Sequence, residues 1–342
     1  MPRKLSTIVA TLVFTAVAPA PAGAFTALYA FGDSLSDAGN VFIGSILAGK
    51  APYPAPPYFL GEFSNGPNWV EDLSGNLGLG PVSPSLLGGT DYAFGGATTG
   101  FSGPNSNPLV KNGDQQVGTF LAAHGFSAPS TGLYTVWFGT NDLALILASG
   151  ASAPIAQSEA QAAAAYEAGE ITVLALTGAK TFIVPLVPDL GKIPAFLAQG
   201  PAAEAAATSL ASTYNTALEN DLRTSPYASL LGGVHLLDTF GLLDDAVVHP
   251  AAYGLTDVSD PCYVAATGKV CATPNAYLSW DGVHPTAKVD AIIAADAAAL
   301  LAPPPFAIAA FADPPAAPSP TPGAGLLSLS VLILMSLTKK GP

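Results

Sequence analysis

The chain has 342 residues, a length that admits one large domain or two small ones. Half of the residues are hydrophobic and only 10% are charged, a composition that sustains a sizeable core and excludes wholesale disorder. A formal net charge of −13 excludes a surface built to neutralise nucleic-acid phosphates or to cling to anionic lipid through Lys and Arg.

Residues 1–24 open with Met-Pro-Arg-Lys, continue through an apolar run from Ile8 to Ala18 and end in small residues at Ala24. That order predicts a secretory signal peptide cleaved before Phe25, because the apolar run is too short for a spanning helix of ~20 residues. From Phe25 to Leu301, short runs rich in Val, Ile, Phe and Tyr alternate with Ala-rich segments, the pattern of βαβ units around a parallel sheet. The strands are expected at Ala27–Phe31, Asp91–Phe94, Leu133–Phe138, Thr181–Leu186 and Val234–Leu237. Helices are expected at Val41–Leu47, Pro67–Gly75, Gln115–His124, Pro154–Thr177, Pro201–Arg223 and Pro285–Leu301. Several start with proline, which suits a first helical turn. The stretch from Gln157 to Ala168 reads as a solvent-facing helix.

The first strand runs into Phe31-Gly32-Asp33-Ser34-Leu35-Ser36-Asp37-Ala38-Gly39-Asn40, which sets Ser34 at the carboxyl end of a strand, where open α/β sheets bind ligands. Alone, a serine before a helix is an N-cap. Gly95-Gly96-Ala97-Thr98 and Gly139-Thr140-Asn141-Asp142 follow the next two strands and fall on the same sheet edge. Gly96 permits close backbone approach and Asn141 offers a neutral amide donor, although each block read singly is an ordinary turn. Cys262 and Cys271, the two cysteines of the chain, are spaced to close a small disulfide loop in an oxidising compartment, with two free thiols as the alternative. Then comes Trp280-Asp281-Gly282-Val283-His284-Pro285-Thr286, in which an imidazole oriented by a carboxylate can take a serine proton.

Taken in this order, the blocks resemble the GDSL, or SGNH, hydrolase family, whose letters fall on Ser34, Gly96, Asn141 and His284, with Asp281 as the acid. The likeness covers residues 27 to 300, and Phe63-Ser64-Asn65-Gly66-Pro67-Asn68-Trp69-Val70 extends it to the longer lipase-like branch. Glu62 and Asp91 depart from that branch, where Arg and Asn are frequent, and are expected to bear on surface or substrate contacts. The resemblance implies an α/β protein with the three-layer α/β/α, flavodoxin-like fold and a central parallel sheet of about five strands. It implies a serine esterase or lipase that cleaves small-molecule or lipid acyl esters, with Ser34, Asp281 and His284 catalytic, and Ser34, Gly96 and Asn141 forming the oxyanion hole. Neither a cofactor nor a metal is expected, and neither a Gly-x-Ser-x-Gly elbow nor a His-Glu-x-x-His zinc motif occurs. His124, His235 and His249 lie in no partnered motif. A deacetylase for an extracellular polysaccharide and a catalytically weak surface-attached binding protein are the alternatives.

After a hydrolase domain over residues 25–302, residues 303–322 are crowded with Pro and Ala, a semi-rigid spacer. Residues 323–342 are apolar with a basic end at Lys339 and Lys340. This layout resembles the PEP-CTERM class of bacterial sorting signals, with Pro320-Thr321-Pro322-Gly323 standing where that class shows Pro-Glu-Pro. It implies membrane or cell-surface association through the tail, and an exported body in a bacterium, with permanent anchoring as the alternative.

Overall fold

The computed structural model describes residues 25–103 and 105–302; the expected signal peptide, spacer and tail lie outside them. Among the described residues no helix is long and apolar enough to cross a membrane. In chain order the body runs through β1 (Ala27–Gly32), α1 (Asn40–Leu47), α2 (Trp69–Asn76), α3 (Gly113–Ala123), β2 (Gly132–Trp137), α4 (Thr140–Ala148) and α5 (Ala153–Thr177). It continues through β3 (Thr181–Pro185), α6 (Pro194–Leu197), α7 (Pro201–Thr224), β4 (Val234–Leu237), α8 (Thr239–Val248), β5 (Asp257–Pro261), β6 (Tyr263–Val264), β7 (Lys269–Val270), β8 (Tyr277–Ser279) and α9 (Ala287–Leu300).

The central sheet has four strands in the order β1-β2-β3-β4, all parallel. Side chains alternate across it, as the pleat requires. Leu28, Ala30, Leu133, Ile183 and Leu237 face a cluster that includes Trp69 and Leu73 of α2 and Ile293 and Ala297 of α9. Phe31, Tyr134, Val136, Phe182 and Val184 face the opposite cluster, to which α3, α4, α5 and α7 contribute. Two helical layers around one sheet give the three-layer α/β/α arrangement, and burial on both faces explains why the strands read as continuous apolar runs.

The expected strand at Asp91–Phe94 is a correction. This segment does lie beside β1, with the Tyr92 N–H on the Ala30 carbonyl (2.7 Å) and the Phe94 N–H on the Gly32 carbonyl (3.1 Å). Only Asp91 bridges in the manner of a ladder. The Asp91 carboxylate turns back to accept from the Ala93 N–H (2.9 Å), which bends the chain out of extended pairing. A second correction concerns α5. Ala160, Ala163, Ala164 and Glu167 are fully buried, because a face of alanines lets α7 pack closely against it. Helix α4 begins where the sequence, read singly, suggested an ordinary turn, and helix α8 adds to the expected helices.

Candidate active site

Parallel strands end on one edge, and the site is assembled there. In register, Gly32 pairs with Trp137 and so brings the chain after β1 next to the chain after β2. The end of β1 is held from the side by Gln116, which accepts from the Gly32 N–H (3.0 Å) and donates to its carbonyl (2.8 Å). A Cβ at Gly32 would stand 2.7 Å from the Trp137 carbonyl oxygen, so this close approach requires glycine.

Ser34 sits just beyond that strand. Its Oγ lies 2.7 Å from His284 Nε2, although the two residues are 250 positions apart in sequence. His284 Nδ1 in turn lies 2.8 Å from Asp281 Oδ2. The turn that carries both is locked by its own backbone: the Trp280 N–H donates to the His284 carbonyl (2.8 Å), while Asp281 Oδ1 accepts from the N–H groups of Val283 and His284 (both 2.8 Å). Burial alone would raise the Asp281 carboxyl, but the His284 charge and the bonds from His284 and from the Tyr58 hydroxyl outweigh it and hold the group down at about 2. It therefore stays anionic at neutral pH, able to orient the imidazole and to stabilise an imidazolium.

Gly96 and Asn141 reach the same edge through buried carboxylates. Asp37 accepts from the N–H groups of Gly39 (2.8 Å) and Gly95 (2.8 Å), tying the serine loop to the Gly95–Gly96 turn. Asp142 accepts from the Thr99 N–H (3.0 Å) and hydroxyl (2.8 Å), tying that turn to the start of α4. Gly96 has φ +81°, a left-handed conformation that glycine adopts without strain. Among the described residues the backbone N–H groups of Ser34 and Gly96 make no hydrogen bond. Unpaired donors beside a nucleophile are what a developing oxyanion needs. Asn141, in the first turn of α4, donates through Nδ2 to the Ala97 carbonyl (2.9 Å) and to Asp33 Oδ2 (3.2 Å). Burial raises the Asp33 carboxyl to about 7, against the Leu35 N–H and the His284 charge, which lower it.

Residues that sequence reasoning missed complete the setting. Tyr58 donates to Asp281 Oδ2 over 2.6 Å from the proline-rich loop before Phe63. Its ring is packed edge-on against Tyr263 and Trp280, and Phe63 lies against the His284 ring with centroids 5.3 Å apart. Cys262 and Cys271 are joined in a disulfide that closes the hairpin of β6 and β7. Glu62 and Asp91, expected at surface or substrate contacts, are buried instead. Asp91 accepts from the Ala38 N–H (2.7 Å) and from Asn40 Nδ2 (3.2 Å) and so shapes the serine loop from behind. His249, outside any motif, pairs with Asp245 (2.8 Å) on the exposed end of α8.

A family profile described as GDSL-like Lipase/Acylhydrolase matches residues 28–297. A phosphatidylcholine-sterol acyltransferase of Aeromonas hydrophila is 29% identical over 245 residues, covering 70% of this chain and 66% of that protein. Lipase 1 of Photorhabdus luminescens is 33% identical over 185 residues, covering 51% of this chain and 24% of the lipase. An acetylesterase of Thermothelomyces thermophilus is 28% identical over 277 residues, covering 78% and 85%. The chain thus spans less than two thirds of the length of the first two of these relatives. Among solved structures, a member of the lipolytic G-D-S-L family from Veillonella parvula aligns over 80% of this chain and 96% of that one, at 13% identity and a TM-score of 0.41. With its motif blocks inside the matched span, the chain belongs to the GDSL-like lipase/acylhydrolase family.

Proposed function

We propose that this protein is an exported serine esterase that cleaves carboxylic acyl esters through Ser34, His284 and Asp281. The observation that carries the reading is the continuous file from Ser34 Oγ to His284 Nε2 (2.7 Å) and from His284 Nδ1 to Asp281 (2.8 Å). Ser34 Oγ attacks the ester carbonyl as His284 Nε2 takes its proton, and the Oγ–C bond forms. The oxyanion is met by the N–H groups of Ser34 and Gly96 and by one N–H of Asn141 turned from Asp33. The C–O bond to the alcohol then breaks, and His284 returns the proton to the leaving oxygen. Water, deprotonated by His284, attacks the acyl carbon; the Oγ–C bond then breaks, His284 returns the proton to Ser34 Oγ, and the acid leaves. Residues 1–24, read as a leader, and residues 303–342, read as a sorting tail, support a hydrolytic body working outside the cytoplasm with its tail at a membrane or cell surface.

A fluorophosphonate probe and a p-nitrophenyl ester test the chemistry together. The parent chain should label at one serine and turn over the ester, while Ser34→Ala should lose the label and activity by about 10⁴-fold or more, with its circular dichroism unchanged. Parental turnover by a folded Ser34→Ala protein would overturn the assignment.

A further inference from the structure

Two amide side chains at the start of α3 reach the two loops whose N–H groups stand unpaired at the site. Gln116 clasps Gly32 at the end of β1, just ahead of Ser34. Asn112, buried at the N-cap of α3, serves the Gly96 loop. Its Oδ1 accepts from the Thr98 N–H (3.1 Å), and its Nδ2 donates to the Gly103 carbonyl (2.9 Å). Between Asn112 and Gly96 stands Asn105. Its Nδ2 donates to the Gly96 carbonyl (2.9 Å) and to Asn112 Oδ1 (3.2 Å), while its Oδ1 accepts from the Asn107 N–H (2.9 Å). Both amide protons and the oxygen are thus matched, and the reversed orientation would set an oxygen against two acceptors.

Gly96 needs such a hold. Its φ is +81°, and beyond its own chain neighbours no heavy atom would lie within 4 Å of a Cβ there, so packing does not fix this glycine. Hydrogen bonds do. On one side the Gly95 N–H is bound to Asp37 (2.8 Å). On the other, the peptide plane joining Gly96 to Ala97 is pinned twice: at the Ala97 N–H by the Phe94 carbonyl (2.9 Å), and at the Gly96 oxygen by Asn105. Without the second pin the plane pivots about the first, and the Gly96 N–H, across a residue with no Cβ to resist, turns with it. A donor stabilises an oxyanion only when it is aimed in advance.

We propose that Asn105 is a positioning residue for catalysis: by tying the Gly96 carbonyl to Asn112 it aims the Gly96 N–H at the oxyanion formed on Ser34. The proposal rests on the esterase reading of Ser34 and on Gly96 as an oxyanion donor. Because Asn105 acts through Gly96, its loss weakens the grip on the transition state and spares the grip on the substrate. Misaiming one donor should lower kcat about tenfold at unchanged KM, a part of the roughly 10²–10³ that losing a donor outright costs.

Asn105→Asp tests this in the full chain. The change keeps an acceptor for the Asn107 N–H, removes both donors and sets a carboxylate oxygen against the Gly96 carbonyl. On p-nitrophenyl acetate, kcat should fall about tenfold at parental KM. Affinity for phenylboronic acid, whose tetrahedral adduct on a serine is anionic, should fall by the same factor. A lower melting temperature with parental kcat and boronate affinity overturns the proposal, and so does a rise in KM at parental kcat. Should Asn105→Asp fail to fold, Asn105→Ala carries the test: kcat and boronate affinity should both drop severalfold, and parental values overturn the proposal. Fluorophosphonate labelling keeps the two readings apart. A parent that labels at Ser34, beside a variant with parental kinetics, overturns only the role of Asn105, whereas an unlabelled and inactive parent overturns the esterase reading with it.

Discussion

The Tyr58 hydroxyl donates to the same oxygen of Asp281 that faces His284 Nδ1, at 2.6 Å and 2.8 Å respectively. The carboxylate that orients the imidazole is thus itself oriented, and one of the forces that keep it ionised comes from a residue 223 positions away.

Tyr58→Phe deletes this bond and keeps the ring among Tyr263 and Trp280. A hydrogen bond to a charged group is worth about 1.5–3 kcal/mol, of which a part should appear in the transition state, so kcat should fall roughly tenfold with KM little changed. With one lowering influence removed, the Asp281 carboxyl rises, and the NMR titration profile of that carboxyl should move to higher pH. A unit with purely structural value would lower the melting temperature and leave the shape of that profile alone.

Asn141→Ala should lower kcat by on the order of 10²–10³ if the amide meets the oxyanion. Because Nδ2 is also bonded to the Ala97 carbonyl and to Asp33, some loss of stability should accompany it. Comparing kcat with KM separates the two effects: a rise in KM alone, at parental kcat, would remove Asn141 from the oxyanion hole.

Glu167 is fully buried beneath β2 and α7, where it accepts from the Tyr214 hydroxyl (2.6 Å) and the Phe138 N–H (3.2 Å). Burial raises its carboxyl to about 8 in spite of those bonds. The folded state therefore binds this proton more tightly than the unfolded chain, and the resulting stabilisation is full below the ordinary carboxyl range and is lost as pH rises through 8. Glu167→Gln, which keeps an acceptor for Tyr214, should match the parent in melting temperature at about pH 5 and exceed it by several degrees at about pH 9. Parallel melting curves across that interval would show that Glu167 does not titrate on unfolding.

The strands at β1 to β4 were legible because each is a short apolar run buried on both faces, and the motif blocks could be set on a single sheet edge from strand order alone. The extra strand expected at Asp91–Phe94 has the right composition and the right neighbour, yet the bond from the Ala93 N–H to the Asp91 carboxylate bends it, and composition carries no sign of that. Helix α4 was hidden because Leu143, Leu145, Ile146 and Leu147 make it apolar nearly all round, with no helical period to read. Tyr58 could not have been found at all. It sits among prolines, and its partner is fixed only once the two ends of the body meet.

The disulfide between Cys262 and Cys271 fastens a hairpin whose Tyr263 stacks on Trp280 and abuts Tyr58. Those rings lie directly behind the Tyr58 hydroxyl that steadies the acid. A chain whose thiols are still reduced would have this buttress unfastened, so the vigour of the reaction should track the redox state of the surroundings, with the hydrolase gaining its full rate only where thiols are oxidised.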